Sequence, residues 1–418
     1  MISRRTFFGA VGMTTAGVLA VPSRLLKTKP KAVTELGKIK IKDVKTATLN
    51  LKKYNTTLIK VTTDSGLYGL GEAYPKVDVT SHVADIKHQI IGQDPLHVEV
   101  LTQKMVEKYV SRGSRHGAYS GAVSGVEIAL WDLVGKILDV PVYVLLGGAY
   151  RKKVLIYHDS GSPKSADPGG WIEEAQKSIA YGFRAIKLSL PRYLGEKWNR
   201  TISPENLKQW TRILKAVRAN IDANIPVGVD LHWKYNTRDA LQFTEMIQDL
   251  GIWFLEDPLP PQNTDAFARL TAASKVPILT GENLFTRYGF QPFIEKQACD
   301  MIHPDPQKCG GLLETKKIAD WADLYNINML CHNGCSPVGT IASAHACMAI
   351  KSFIALESDS VELSYWKDII QRSKPIYKDG TLEVPEKPGL GIALNEEVCR
   401  EYPAKLGIFR LRIHFRES

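Results

Sequence analysis

Val227-Gly228-Val229-Asp230-Leu231-His232 and, farther along, Trp253-Phe254-Leu255-Glu256-Asp257-Pro258 decide how this chain folds. Each is a short apolar run that closes on an acidic residue. The pattern does not stop there. Starting from Asp230, the residues Glu256, Glu282, Asp305, His332 and Glu357 follow at steps of 26, 26, 23, 27 and 25 residues, each in or just after a short apolar run that reads as a strand. Such a step is one β/α unit. A (β/α)₈ barrel gathers the C-terminal ends of its strands around one mouth, so a polar residue repeated once per unit at strand ends converges with the others in a single site.

Working outward, the runs at 154–157, 185–188, 227–231, 253–255, 278–280, 301–303, 328–331 and 355–356 supply eight strand candidates separated by amphipathic helical segments. Eight closes a parallel barrel. Upstream, residues 39–73 alternate apolar and polar side chains on either side of Thr63-Asp64-Ser65-Gly66, the signature of strands joined by tight turns. Segments 81–91, 95–109 and 119–138 then show helical periodicity. Strands followed by helices make a separate α+β unit. The pattern predicts an α/β protein: an α+β domain over 38–150, a modified TIM barrel over 151–370, and a turn-rich tail over 371–418 that packs back on the first domain.

Composition is that of a soluble globular protein, 44% hydrophobic and 23% charged, and no stretch is long and apolar enough to span a membrane as a mature element. The net charge of +10 suits anionic ligands. Its basic residues are scattered rather than grouped in a stripe, which argues against nucleic acid. Residues 1–37 stand apart. Ser3-Arg4-Arg5-Thr6-Phe7-Phe8, followed by a Gly/Ala/Thr-rich apolar run to Ala20, resembles a bacterial twin-arginine export signal with a small-residue cleavage site at Val18-Leu19-Ala20, and a linker follows. A periplasmic or otherwise exported protein is expected. Six cysteines, Cys299, Cys309, Cys331, Cys335, Cys347 and Cys399, fall late and without a paired framework. Cys331 and Cys335 flank His332 but lack the second pair a structural zinc site requires, so they read as core thiols.

Each site candidate has a bland reading beside the sharp one. A lone acidic residue after a strand is ordinarily a helix N-cap or a solvated charge. Asp230, Glu256 and Glu282 at regular spacing are different, because carboxylates crowded at one mouth repel unless a cation neutralises them. An all-oxygen set suits Mg²⁺. His332, paired with Asp305 on the adjoining unit, is a candidate general base whose tautomer the carboxylate fixes. His232 lies two residues after Asp230, so strand alternation sends both into the mouth, where the imidazole serves as proton donor or as a partner for a ligand carboxylate. Lys187 ends an otherwise apolar strand, reaching either substrate or solvent. Glu357 orders the site or caps a loop.

A resemblance adds to this reading. Gly69-Leu70-Gly71-Glu72-Ala73, Ile128-Ala129-Leu130-Trp131-Asp132-Leu133 with Gly135-Lys136, and Leu145-Leu146-Gly147-Gly148 are joined by Val229-Asp230-Leu231-His232, Leu255-Glu256-Asp257-Pro258 and Gly281-Glu282-Asn283-Leu284-Phe285-Thr286-Arg287. Pro304-Asp305 with Gly310-Gly311, Cys331-His332, Leu356-Glu357 and Pro388-Gly389-Leu390-Gly391 complete the set. From about residue 39 to its C-terminus the chain resembles the enolase superfamily, in its mandelate racemase branch, and most of all the acid-sugar dehydratases of the D-galactonate and D-mannonate type. The resemblance implies that the first domain caps a catalytic barrel and that Asp230, Glu256 and Glu282 hold Mg²⁺, which binds the substrate carboxylate. It implies further that His332, oriented by Asp305, removes the proton α to that carboxylate and that His232 protonates the departing β-hydroxyl. Lys187-Leu188-Ser189 stands where racemases and cycloisomerases of the branch carry Lys-x-Lys, leaving the histidine dyad as the main base. The segment 51–57 is short where many relatives carry a long substrate-covering loop.

The activity expected is that of an Mg²⁺-dependent lyase, dehydrating a sugar acid to a 2-keto-3-deoxy acid. An epimerase, racemase or cycloisomerase built on the same chemistry, and an exported sugar-acid-binding relative without turnover, are the alternatives. The expected partners are a small anionic sugar-acid substrate and further copies of the chain in a homo-oligomer. Neither nucleic acid nor stable membrane insertion after signal cleavage is expected.

Overall fold

The computed structural model describes residues 38–51, 54–163, 166–190, 200–359, 366–371 and 375–403. The export signal expected over residues 1–37 lies outside them. Strands β1 (Ile41–Asn50), β2 (Asn55–Thr63) and β3 (Tyr68–Ala73) form an antiparallel meander. The turn after Thr63 closes with Gly66 N donating to Thr63 O, and Gly66 takes a positive φ of 85°. Helices Thr80–Ile90, Val98–Glu107 and Gly117–Leu138 follow, the last buried on nearly every side. It lies so close to β3 that a Cβ on Gly71 would sit 2.1 Å from Gly125 O. Only glycine permits that approach.

The barrel is made of β4 (Val154–Asp159), β5 (Ile186–Ser189), β6 (Val227–Asp230), β7 (Phe254–Glu256), β8 (Ile278–Thr280), β9 (Met301–Ile302), β10 (Asn328–Cys331) and β11 (Phe353–Ser358). Each pairs in parallel with the next, and β11 pairs with β4 through Leu356↔Ile156 and Glu357↔Tyr157, closing the ring. All eight sequence candidates are therefore strands. Short continuous apolar runs suit a parallel sheet buried on both faces. Phe254, Leu279, Leu330 and Ala355 fill the inside, while a larger apolar layer separates the strands from the surrounding helices.

Among the described residues seven helices alternate with the eight strands, and β11 leads into the tail instead of an eighth helix. In that tail β12 (Ile370–Gln371) pairs with β15 (Ala393–Leu394), and between them β13 (Tyr377–Lys378) and β14 (Thr381–Leu382) make a hairpin whose second strand adds antiparallel to β4. Tail and first domain touch through the bridge Pro141↔Gly389 and through Leu390 N, which donates to Asp132 Oδ1 at 2.7 Å. None of the described helices is long and apolar enough to cross a membrane.

Three buried carboxylates fasten the first domain to the rest. Asp132 also accepts from Leu70 N and Lys136 Nζ, at 2.7 and 2.6 Å. Glu72, fully buried in β3, accepts from Thr56 Oγ1, Ser336 N, Ser336 Oγ and Gly339 N at 2.5–2.9 Å. The last three belong to the start of helix Pro337–Ala349, which follows β10. Glu127 likewise accepts from Leu312 N and Leu313 N, at 2.8 and 3.0 Å, at the start of helix Leu312–Leu324, which follows β9. Helix N-termini offer unpaired N–H groups and a positive field, so these carboxylates are well met.

Glu127 carries a pH signature. Burial pushes its carboxyl up to about 7 against the pull of its hydrogen bonds from Leu313, Leu312 and Trp131. A carboxyl that ionises less readily folded than unfolded favours the native state at low pH, and this contribution is lost as pH rises from about 4.5 through about 7. Measured by chemical denaturation between pH 5 and 8, the stability of wild type minus that of Glu127→Gln is expected to fall as pH rises, by up to about 3 kcal/mol. A pH-independent difference would contradict the burial argument.

Candidate active site

The register of the parallel strands delivers the polar residues to one end of the barrel. Ser189 pairs with Asp230 and Asp230 with Glu256, placing the ends of β5, β6 and β7 side by side. After β8 the chain turns through Gly281, whose φ of 142° and whose distance to His303 N, 2.9 Å from a built Cβ, leave no room for a side chain. The next residue, Glu282, is thereby turned into the same mouth. All eight residues singled out in the sequence meet there. Six of them, Lys187, Asp230, His232, Glu282, His332 and Glu357, line a cavity of about 350 Å³ closed on the opposite side by Tyr74, Lys76 and Val79 of the first domain, and Glu256 and Asp305 stand directly behind them.

Asp230, Glu256, Glu282, Asp305 and Glu357 each meet a lysine or a histidine of the chain. Lys187, 2% exposed, does not reach solvent: its Nζ lies 2.8 Å from Glu357 Oε1, 2.9 Å from Glu256 Oε2 and 3.8 Å from Asp230 Oδ2. Glu357 lies within β11 and caps no loop. Burial raises its carboxyl, but Lys187, His332 and His303 outweigh that and hold it well below the usual range. His332 Nδ1 lies 2.6 Å from Asp305 Oδ2, and its Nε2 lies 2.6 Å from Glu282 Oε2. Burial opposes the imidazolium, yet Glu282, Glu357 and Asp305 hold His332 well above its ordinary value. Asp257, buried beside Glu282 and Glu256, is driven well up by burial and by their repulsion, and accepts from Thr280 Oγ1 at 2.6 Å.

His232 arrives by a different route from the one expected. Strand β6 ends at Asp230, so alternation does not carry on to residue 232. Instead His232 and Trp233 both take left-handed φ values, 48° and 57°, and His232 N donates to Asp230 Oδ1 at 2.8 Å. This turn brings His232 Nδ1 to 3.1 Å from Asp230 Oδ2. Left-handed backbone at two successive residues with side-chain β-carbons is strained and clusters at functional sites.

Several site residues have no role in the sequence reading. His303, fully buried, contacts Glu256 Oε1 through Nδ1 at 3.0 Å and Tyr157 Oη through Nε2 at 2.8 Å, while Tyr157 donates to Glu357 Oε2 at 3.0 Å. Lys308 Nζ donates to Glu282 O at 2.9 Å and to Asn283 Oδ1 at 3.2 Å, 3.9 Å from the centre of the Tyr74 ring. The signal for His303 was present: a histidine ends the apolar pair Met301-Ile302, two residues before Asp305. Tyr74 directly follows the Gly69–Ala73 motif but had no periodicity to mark it. The cysteines are free thiols, five of them buried.

The donor set fits a hard divalent cation. Asp230, Glu256 and Glu282 offer only carboxylate oxygens, from consecutive barrel units. Glu256 Oε2 is buried and no hydrogen bond reaches it, although Lys187 Nζ is near. Oxygen donors of this kind suit Mg²⁺ rather than a softer ion. Glu256, His303 and Glu357 also bring ligand-type atoms within 4.8 Å of one another. That cluster is a hydrogen-bonded network instead. Tyr157 has one proton, given to Glu357, so its oxygen accepts from His303 Nε2; Nδ1 must likewise donate to the Glu256 carboxylate. With protons on both nitrogens, His303 has no lone pair for a metal. Consistently, Glu256 and Glu357 outweigh burial and move His303 up to about 9.

Comparison with known proteins agrees with this geometry. Residues 31–147 match the mandelate racemase / muconate lactonizing enzyme N-terminal domain, and residues 170–398 match the enolase C-terminal domain-like family. A D-xylonate dehydratase of Haloferax volcanii is 37% identical over 85% of this chain and 87% of its own length. An arabinonate dehydratase of Saccharolobus solfataricus is 29% identical over 83% of this chain and 90% of its own. Among solved structures, a mandelate racemase/muconate lactonizing enzyme-like protein from Rubrobacter xylanophilus superposes with a TM-score of 0.84 at 35% identity, covering 88% of this chain and 98% of that one. Members of the enolase superfamily are metal-dependent. The chain belongs to the mandelate racemase/muconate lactonizing enzyme family of the enolase superfamily.

Proposed function

We propose that the protein is an Mg²⁺-dependent sugar-acid dehydratase, a carbon–oxygen lyase that converts an aldonic acid to a 2-keto-3-deoxy acid. The observation that carries this is the placement of two histidine–carboxylate pairs, His332 with Asp305 and His232 with Asp230, on one cavity beside the three candidate ligands. The dehydratase names of the relatives support it.

Asp230, Glu256 and Glu282 would hold the cation. When bound, Mg²⁺ would supply the positive charge that lets the three carboxylates coexist and that stabilises the negative charge developing on the substrate carboxylate. His332 takes the α proton on Nε2, because Asp305 engages Nδ1 and steadies the imidazolium that forms. His232 gives a proton to the β-hydroxyl as its carbon–oxygen bond breaks, so water leaves and the resulting enol relaxes to the ketone. Lys187 and Glu357 line the same cavity as an ion pair, Nζ lying 2.8 Å from Oε1, and place a positive charge among the carboxylates. Tyr74 and Val79 close the cavity from the first domain.

Removing a ligand tests the metal. Glu256→Gln is expected to abolish activity, and inactivation of wild type by a chelator is expected to be reversed by added Mg²⁺. Full activity in a metal-free preparation would sink the assignment.

The histidines separate by proton exchange. In D₂O, followed by NMR, His332→Asn is expected to lose both turnover and α-proton exchange. His232→Asn should lose dehydration by about 10²–10⁴-fold yet retain some exchange. Equal loss of exchange in both would refute the division of labour, and inversion at the α-carbon without loss of water by wild type would favour the epimerase reading.

Export is the third element of the proposal. The twin-arginine motif supports a site of action outside the cytoplasm, so Arg4→Lys with Arg5→Lys should retain the enzyme in the cytoplasm. Identical fractionation of mutant and wild type would overturn it.

A further inference from the structure

We propose that His303 is a positioning residue that dictates how Glu256 meets the metal: by occupying Oε1 from the barrel interior, it leaves Oε2 as the one oxygen offered to the cation. The inference rests on the reading of Glu256 as a ligand. Three observations carry it. His303 is fully buried, so its contacts face no competition from water. Its Nδ1 donates to Glu256 Oε1 at 3.0 Å, whereas Oε2 of the same carboxylate is buried with no hydrogen bond and has the exchangeable Lys187 ammonium 2.9 Å away. Its other nitrogen is anchored by Tyr157 Oη at 2.8 Å, and Tyr157 in turn is held by Glu357 Oε2, so the ring cannot turn without breaking both links.

The consequence is a defined orientation for a carboxylate that would otherwise rotate. Hydrogen bonds of this kind behind a metal ligand are commonly worth 10–100-fold in metal affinity. His303 touches neither substrate nor cation; it acts through Glu256. Tyr157 contributes only by steadying the ring.

The test is isothermal titration of Mg²⁺ and of Mn²⁺ into metal-free wild type, His303→Phe, His303→Asn and Tyr157→Phe, each checked for folding by circular dichroism. His303→Phe keeps a ring but removes both donors, and its dissociation constants are expected to rise 10–100-fold. His303→Asn, whose amide nitrogen can stand where Nδ1 does, restores a donor toward Glu256 and is expected to recover most of the affinity; Tyr157→Phe should lie between wild type and His303→Phe. In kinetics at saturating substrate, the activation constant for Mg²⁺ should rise while kcat at saturating metal recovers, a split that a general packing defect would not give. Should His303→Phe fail to fold, His303→Leu, which likewise offers no donor, replaces it with the same expected loss. A folded His303→Phe or His303→Leu that binds both ions as tightly as wild type overturns the proposal. A wild type that binds neither ion would bring down the ligand reading of Glu256 itself, and this proposal with it.

Discussion

Repulsion among carboxylates at the barrel mouth is the constraint around which the site is built. Asp230, Glu256, Glu282, Asp305 and Glu357 converge where the dielectric is low, and a single pair of like charges 4 Å apart costs about 4 kcal/mol even at an effective dielectric constant of 20. A cluster of this kind persists only if cations are interleaved with it. Lys187 lies among Glu357, Glu256 and Asp230; His303 lies between Glu256 and Glu357; His332 lies between Asp305 and Glu282. Asp257, the acidic neighbour without a cationic partner, takes the other solution and is pushed toward its neutral form.

The same residue type does different work a short distance away. Glu72, Glu127 and Asp132 are as deeply buried as the mouth carboxylates, but backbone N–H groups meet all three, and only Asp132 adds a cation, Lys136. Two of the three sit at the starts of the helices that follow β9 and β10. Those are the units that carry Asp305 and His332, so the first domain holds the dyad's supporting helices as well as closing the cavity. The first domain and the elements that carry His332 and Asp305 are thus joined by hydrogen bonds, not merely by apposed surface.

What was legible in the sequence follows from these physics. The barrel was legible because strand ends repeat at a fixed step, a local property of the chain. Glu72 stood in a quoted motif and Glu127 directly before another, yet their purpose lay with partners 264 and 185 residues away, which no local pattern reveals. Lys187 was ambiguous because a lysine ending a strand looks the same whether its ammonium meets water or carboxylates. His232 was placed correctly for the wrong reason: alternation fails once the strand has ended, and a left-handed turn does the work. His303 was passed over because a buried histidine on an apolar strand is ordinarily structural, and only the protons of Tyr157 show that it is a cation.

The two histidines are also unequal in a way that bears on the reaction. Asp305 is fully buried and gives one oxygen to His332 and the other to Gln307 N, so it serves the imidazole alone among the ionisable groups of the mouth. Asp230 is shared, lying near Lys187 as well as His232 and standing among the candidate metal ligands. A base that must take a proton from carbon needs a dedicated counter-charge to stabilise the imidazolium it becomes, and His332 has one. His232, with a side chain 29% exposed against 10% for His332, has a partner whose charge is divided and a route to exchange protons with solvent. A symmetric pair of bases would suit inversion at the α-carbon; an unequal pair, one anchored to abstract and one placed to donate, suits elimination.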